Sequence, residues 1–431
     1  MKYSKINNSL FVNNRRNFLK KMIPKSIVFF NSNDLYPVSA DTTLPFEQHR
    51  DIFYLSGIDQ EESVLLLLKN KRDSNTQEIL FLKKPNETLT HWEGEKLNEE
   101  KAFKISGIKT VYWLDDLEKI IKKLIVSVEN IYINTNEHYR AKVVTETREA
   151  RFNKWIQKKY PNKNIKRSNP ILQRLRAVKD PIEIELIRQA CKITEKGFKR
   201  VLGFVKPGIW EYEIEAEFSQ EFLKNRSRKF AYQPIIASGK NSNILHYIEN
   251  NNICKNGDLI LLDVGAEYAN YSSDMTRTIP VSGKYNKRQK EVYNSVLRVK
   301  NEATNLLTPG ILWKDHHSEV GKIMTSELLK LGLLDKSDIQ NQTKSNPAFK
   351  KFFTHGTSHH LGLDTHDYGD INYPIQANNV FTVEPGIYIK KEGFGIRLED
   401  DVVVQKIGNP INLMKNIPIE IEEIESLMNL K

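Results

Sequence analysis

The stretch DLILLDVGAEYANYSSDMTRTIPV, residues 258–281, sets strand-like apolar runs around a Gly-containing turn and leaves two carboxylates, Asp263 and Asp274, among them. An ionised acid in an apolar strand is costly to bury and tends to take up a proton, so each needs a partner. A second stretch, NNVFTVEPGIYIKKEGFGIRLEDDVVV at 378–404, repeats the design, with Glu384 before a Pro-Gly turn and Glu399 after the next strand. Chance produces one such echo. Two in the same order point to a duplicated unit.

The flanking helices carry the same duplication. DPIEIELIRQACKITEKGFKRVLGFV (180–205) opens on an Asp-Pro start signal and stays amphipathic until KPG stops it, and a second helix runs from Glu211 to about Asn225. NKRQKEVYNSVLRVKNEATNLLTPG (286–310) repeats the long helix closed by Pro-Gly, and His317 to Leu334 supplies the next. Helix, Pro-Gly turn, helix, strands thus occurs twice. This predicts an α+β unit over 180–431 whose two sheets face each other across a pseudo-twofold axis, with a cleft that collects acids from both halves.

Upstream, Ser26 to Phe30, Ser63 to Leu68, Glu78 to Leu82 and Asn130 to Ile133 read as strands, while Asp116 to Val128 and Thr145 to Lys159 have helical spacing. They predict a separate α/β domain over 1–168. The polar stretch YPNKNIKRSNP (160–170) breaks both patterns, and 169–179 is assigned as the linker. Two domains suit a chain of 431 residues, which exceeds the usual size of one core.

The formal charge of +11 is spread through Lys- and Asn-rich surface segments such as 158–167, without an aromatic-interleaved basic array, so no nucleic-acid partner is expected. Two cysteines, Cys191 and Cys254, make no disulfide framework and read as buried thiols. The basic N-terminal segment lacks an apolar run and a cleavage site, and the apolar runs IVFF and VLLLL fall far short of the ~20 residues of a membrane helix. The expectation is a cytoplasmic protein without a membrane partner.

HGTSHHLGLDTHD (355–367) adds four of the chain's ten histidines. His355 and His359 have the HxxxH spacing of a zincin helix, but Gly356 stands where such a helix needs its glutamate, and that reading is rejected. His359 fits instead as a ligand delivered from a strand or tight loop, with His366 reaching the same cleft. Asp263, Asp274, Glu384 and Glu399 with His359 would satisfy two divalent cations, four negative charges against four positive. Oxygen-rich ligation with one nitrogen and no thiolate suits Mn²⁺ and also admits Co²⁺, Fe²⁺ or Zn²⁺. Such a pair, ~3.5–4 Å apart, would hold a water as hydroxide and polarise a carbonyl, which is machinery for hydrolysis.

NILHY (243–247), the 257–285 segment, HGTSHHLGLDTHD, VFTVEPGIYI (380–389) and GIRLEDDV (395–402) together resemble the metallopeptidases of the pita-bread fold, most closely the aminopeptidase P family. PFEQHRDIFYLSGIDQEESVLLLL (45–68) and HWEGEKL (91–97) resemble that family's creatinase-like N-terminal domain, so the likeness spans nearly the whole chain. The resemblance implies that Asp274 and Glu399 bridge two metals, that Asp263 binds one, and that His359 with Glu384 binds the other. It implies Glu384 as proton acceptor, His246 and His366 as contacts to substrate and developing oxyanion, and Arg397 as an orienting or substrate-binding group. His355 has two readings, substrate contact or packed support, and His360 reads as structural. Trp92 also has two: a core contact under its loop, or a side chain reaching the active-site mouth of a neighbouring subunit in a dimer or tetramer.

The implied activity is hydrolysis of the N-terminal Xaa-Pro bond of peptides. Proline's tertiary amide lacks an N–H, so a site that grips peptides through that donor handles it poorly, whereas a metal pair need only accept the ring. Two alternatives stand beside it: a prolidase restricted to Xaa-Pro dipeptides, and, from another class, a metal-free pita-bread domain acting as a binding module.

Overall fold

The structure, a computed structural model, describes residues 3–70 and 76–430. Two compact units account for them, one spanning Ser4–Arg176 and the other the chain from Ala177 onward together with Tyr3.

The first unit is built on a six-stranded sheet in the order Thr110–Trp113, Thr76–Leu82, Val64–Lys69, Ser26–Asn31, Asn130–Ile133, Asn164–Arg167. Ser26–Asn31 and Val64–Lys69 pair antiparallel from Ser26 opposite Lys69 to Asn31 opposite Val64, and every residue of both is buried. Strands covered on both faces read as continuous apolar runs, which is why IVFF and VLLLL show no alternation. The helices Leu117–Leu124 and Arg148–Lys159 supply Ile121 and Ile156 to a core with Phe29, Leu66, Leu68 and Phe81.

The polar stretch 160–170 is not a plain break. Asn164–Arg167 is the edge strand, parallel to Asn130–Ile133, with all four residues exposed. A strand without a buried face loses the alternation by which strands are recognised. Most of the assigned linker 169–179 is likewise helix, Asn169–Ala177. A further helix, Ser9–Lys21, lies in the basic N-terminal segment and buries Leu10, Phe11, Phe18 and Leu19 on one face. Among the described residues, no helix is long and apolar enough to cross a membrane.

The second unit shows the twofold element order. Pro181–Leu202 begins with a capping box in which Asp180 and Glu183 satisfy each other's backbone amides, and Glu211–Lys224 follows. These precede the sheet Met275–Pro280, Leu259–Val264, Ile235–Ser238. Lys287–Asn305 and Trp313–Lys330 then precede the sheet Val380–Val383, Asp400–Val403, Ile411–Asn412 and the hairpin of Gly386–Ile389 with Phe394–Arg397. The last helix starts earlier than its apolar period suggested, at Trp313. The halves meet where the Glu399 amide donates to the Thr276 carbonyl at 3.0 Å and the Arg397 amide to the Thr278 hydroxyl at 3.2 Å.

The turn after Asp263 depends on Gly265, where a Cβ would stand 1.8 Å from the Ser273 carbonyl oxygen. Neither backbone can yield without breaking the pairing of Ser273 N–H with the Ala266 carbonyl at 3.0 Å. Gly265→Ala is therefore expected to cost about 1–3 kcal/mol of unfolding free energy, measured by urea denaturation.

Candidate metal centre and active site

Each acidic side chain is delivered from the end of a strand. Asp263 lies on Leu259–Val264 opposite Thr276, and Asp274 immediately precedes Met275–Pro280. Glu384 follows Val380–Val383, and Glu399 leads into Asp400–Val403. His359 is fixed beside Val380–Val383 by two contacts with Thr382: its amide donates to the threonine hydroxyl, and its carbonyl accepts the threonine amide, both at 3.0 Å. The His359 Nδ1 faces the His360 carbonyl at 3.0 Å. In a neutral ring that bond places the proton on Nδ1 and leaves the Nε2 lone pair available as a ligand.

The five side chains converge. His359 Nε2 lies 3.3 Å from Asp274 Oδ2 and 3.6 Å from Glu384 Oε1. Ligand atoms of Asp274, His359 and Glu399 all fall within 4.8 Å of one another. Asp263 joins through the Tyr232 hydroxyl, which is 2.6 Å from both Asp263 Oδ1 and Asp274 Oδ1. Asp274 and Glu399 are buried, whereas the Glu384 side chain keeps 19% exposure.

The charges are not balanced by the protein alone. Burial drives the Glu399 carboxyl well above its ordinary range, and Asp274, Glu384 and Asp263 add repulsion. Burial likewise lifts Asp263, against the opposing pull of Arg397, and pushes Glu384 up to about 7 despite His359 and Arg397. Burial pulls the His359 imidazole down, but the Asp274 and Glu384 carboxylates outweigh it and hold it raised. Hard oxygen donors in excess of nearby positive charge, with one imidazole, make a donor set that fits divalent cations.

Arg397 ties this cluster to its wall. Its Nη2 meets Asp263 Oδ2 at 2.5 Å, its Nη1 donates to the Tyr388 hydroxyl at 2.8 Å, and its Nε donates to the Thr276 hydroxyl at 3.0 Å. Thr276 in turn donates to Glu399 Oε2 at 2.5 Å, and His355 Nε2 lies 2.7 Å from the Tyr388 hydroxyl. His355 is thus both part of this wall and 3.6 Å from Glu384. Tyr232, Thr276 and Tyr388 were not singled out from the sequence. Each is a common residue, and its hydroxyl matters through contacts that form only in the fold: Tyr232 with Asp263 and Asp274, Tyr388 with His355 and Arg397, and Thr276 across the two halves with Glu399.

His366 packs edge to face on His359, ring centroids 4.2 Å apart, and is half-buried. His246 is exposed on the turn after Gly239–Asn243, close enough to His355 for its charge to bear on that ring. His360 stacks on Trp313 at 6.0 Å and packs on Phe381 at 4.4 Å. Trp92, in the helix Glu87–Glu93, is 80% exposed, which overturns the reading as a packed core contact. That helix has no buried residue, so the unit offers the indole no core to enter.

Residues 185–406 match Metallopeptidase family M24, and residues 11–132 match Aminopeptidase P, N-terminal domain. The chain is 34% identical over 439 residues to the Xaa-Pro aminopeptidase of Escherichia coli, covering 99% of this chain and 98% of that protein. It is 33% identical to the Xaa-Pro aminopeptidase of Haemophilus influenzae, covering 97% of each. Among solved structures, the zinc-substituted aminopeptidase P of E. coli in complex with product is similar with a TM-score of 0.87 at 32% identity, covering 99% of both chains.

Burial, reinforced by the Arg397 charge, pulls His355 down from 6.5 to about 3. The neutral folded ring contributes stability that is fully present above pH 6.5 and is lost as pH falls toward 3. From pH 6.5 to about 5 the metal-free wild type is expected to lose about 1–2 kcal/mol more unfolding free energy than His355→Gln, read from urea titrations at each pH.

Proposed function

The chain belongs to metallopeptidase family M24, and from that membership we propose that it is a metal-dependent aminopeptidase that hydrolyses the N-terminal Xaa-Pro bond of peptides. The observation that carries this reading is the convergence of four carboxylates and one imidazole in a crevice too poor in positive charge to hold them all ionised. Asp263, Asp274, His359, Glu384 and Glu399 are the residues that would hold two divalent cations. Mn²⁺ suits these donors best, with Co²⁺, Fe²⁺ and Zn²⁺ as alternatives. Bound there, the cations supply Lewis acidity toward a scissile carbonyl and toward a nucleophilic water.

The protein's own groups do the rest. Glu384, which keeps partial exposure at the cluster, would take up a proton and return it to the leaving amine. His366, half-buried against the His359 ring, and the exposed His246 would supply hydrogen bonds to the carbonyl oxygen as charge develops on it. Arg397, held on Asp263, Tyr388 and Thr276, fixes the wall against which the peptide is oriented. His355 supports that wall through Tyr388. Substrates are peptides with proline second, because recognition through metal and imidazole needs no N–H from that residue. In a homo-oligomer, a dimer or tetramer, the exposed Trp92 would be the side chain that reaches the active-site mouth of a neighbouring copy. We place the enzyme in the cytoplasm.

Glu384→Gln is expected to lower kcat by at least about 100-fold on an Xaa-Pro-Xaa tripeptide, with bound metal measured separately by elemental analysis. Chelation should abolish turnover and added Mn²⁺ should restore it. The tripeptide should be cleaved faster than the matching Xaa-Pro dipeptide, and the reverse order would favour a prolidase.

A further inference from the structure

We propose that the buried ion pair of Lys179 with Asp367 positions His366 against the metal centre and thereby sets the turnover rate. This rests on the role given to His366 above. Lys179 Nζ lies 2.8 Å from Asp367 Oδ2, with side-chain exposures of 0% and 1%. Sealed this far from solvent, neither group can meet a peptide. Their effect on the reaction has to pass through what they hold.

Lys179 comes from a rigid frame. Its amide donates to the Asn378 carbonyl at 2.9 Å, and the neighbouring Ala177 carbonyl accepts from Asn379 Nδ2 at 2.9 Å. Asp367 follows His366 directly and is fixed at three points. Its amide donates to the His360 carbonyl at 2.9 Å, its Oδ1 accepts the Tyr368 amide at 2.8 Å, and its Oδ2 accepts Lys179. That same His360 carbonyl faces the His359 Nδ1, so one oxygen registers both the proposed metal ligand and the backbone that carries His366.

The loop is shaped around the pair. At Gly362 a Cβ would stand 2.1 Å from Asp367 Oδ2 and 2.8 Å from Lys179 Cε, so a side chain there would force the pair to shift. The Gly362 carbonyl accepts the Ser272 amide at 2.8 Å, which anchors the loop close to Asp274. Residues 362–372 form no helix or strand, and His366 therefore lacks the repeating bonds that orient a side chain on a regular element. A buried ion pair gains little net stability over apolar packing, because desolvation offsets its attraction. Its directional bonds do give a loop side chain the fixed placement that catalysis demands.

The test is a double-mutant cycle on the Mn²⁺-loaded enzyme with an Xaa-Pro-Xaa tripeptide: Asp367→Asn, His366→Ala and the two together. Asp367→Asn is expected to lower kcat between about 10- and 100-fold, with less change in KM and with metal content retained. In the His366→Ala background it should cost less than about 2-fold more, because the positioned group is already gone. In the metal-free protein, ¹⁵N-histidine spectra should show the His366 ring signals displaced by Asp367→Asn while those of His316, held by the Ala303 carbonyl, stay in place. Losses that multiply, or an unmoved His366 signal, would overturn the positioning role. Full activity in His366→Ala would instead remove the role given to His366, and this proposal with it. If Asp367→Asn fails to fold, Lys179→Gln enters the same cycle with the same expectations.

Discussion

Gathering four carboxylates in one crevice, with Asp274 and Glu399 buried, is the constraint on which the rest of the catalytic unit turns. Like charges a few ångströms apart in a low dielectric repel strongly enough that some must take up protons or find positive partners. Arg397 answers Asp263, and His359 answers Asp274 and Glu384, yet Glu399 and Glu384 remain raised. Divalent cations are the partners whose charge and hard-donor preference close that deficit. The duplicated fold is what makes the crowding possible, since each half contributes two acids from strand ends and the halves join through Glu399 and Thr276.

Behind the crevice, a further layer keeps the acids from relaxing apart. Arg277, wholly buried, donates to the Glu399 carbonyl at 2.6 Å and to Asp400 Oδ1 at 2.6 Å, and Lys300 pairs with the other oxygen of Asp400. Those two cations hold Asp400 below its ordinary range even though burial alone would raise it. Asp401 accepts the Asp274 amide at 3.0 Å and the Cys191 thiol at 3.4 Å. Consecutive residues Glu399, Asp400 and Asp401 therefore face three environments, and the strand that carries them is clamped by each. Removing Arg277 would leave Asp400 buried beside one cation where it now has two, a costly state.

Much of this arrangement was legible in the sequence, because acids set in apolar runs at matching places in two hairpins are conspicuous. The long helices were legible too, since amphipathic periods ending in Pro-Gly survive whatever the tertiary context. Asn164–Arg167 was hidden, as an exposed edge strand lacks a buried face to mark it. Ser9–Lys21 was hidden by its charge, although one side of it is core. The supporting hydroxyls of Tyr232, Thr276 and Tyr388 were out of reach for another reason: their partners lie up to 123 residues away, and spacing carries no trace of such contacts. Trp92 shows the limit from the other direction, since its two readings differ in burial, a property fixed by the fold and not by its neighbours in sequence.

Calorimetric titration of Mn²⁺ into the metal-free protein, repeated in buffers of different ionisation enthalpy, tests the central claim most directly. Neutral acids that become ligands must release protons as the cations enter. The account predicts two ions bound per chain at neutral pH, with a buffer-dependent enthalpy that reports proton release, and a smaller release in Glu399→Gln. Failure to bind, or binding whose heat is the same in every buffer, would contradict it.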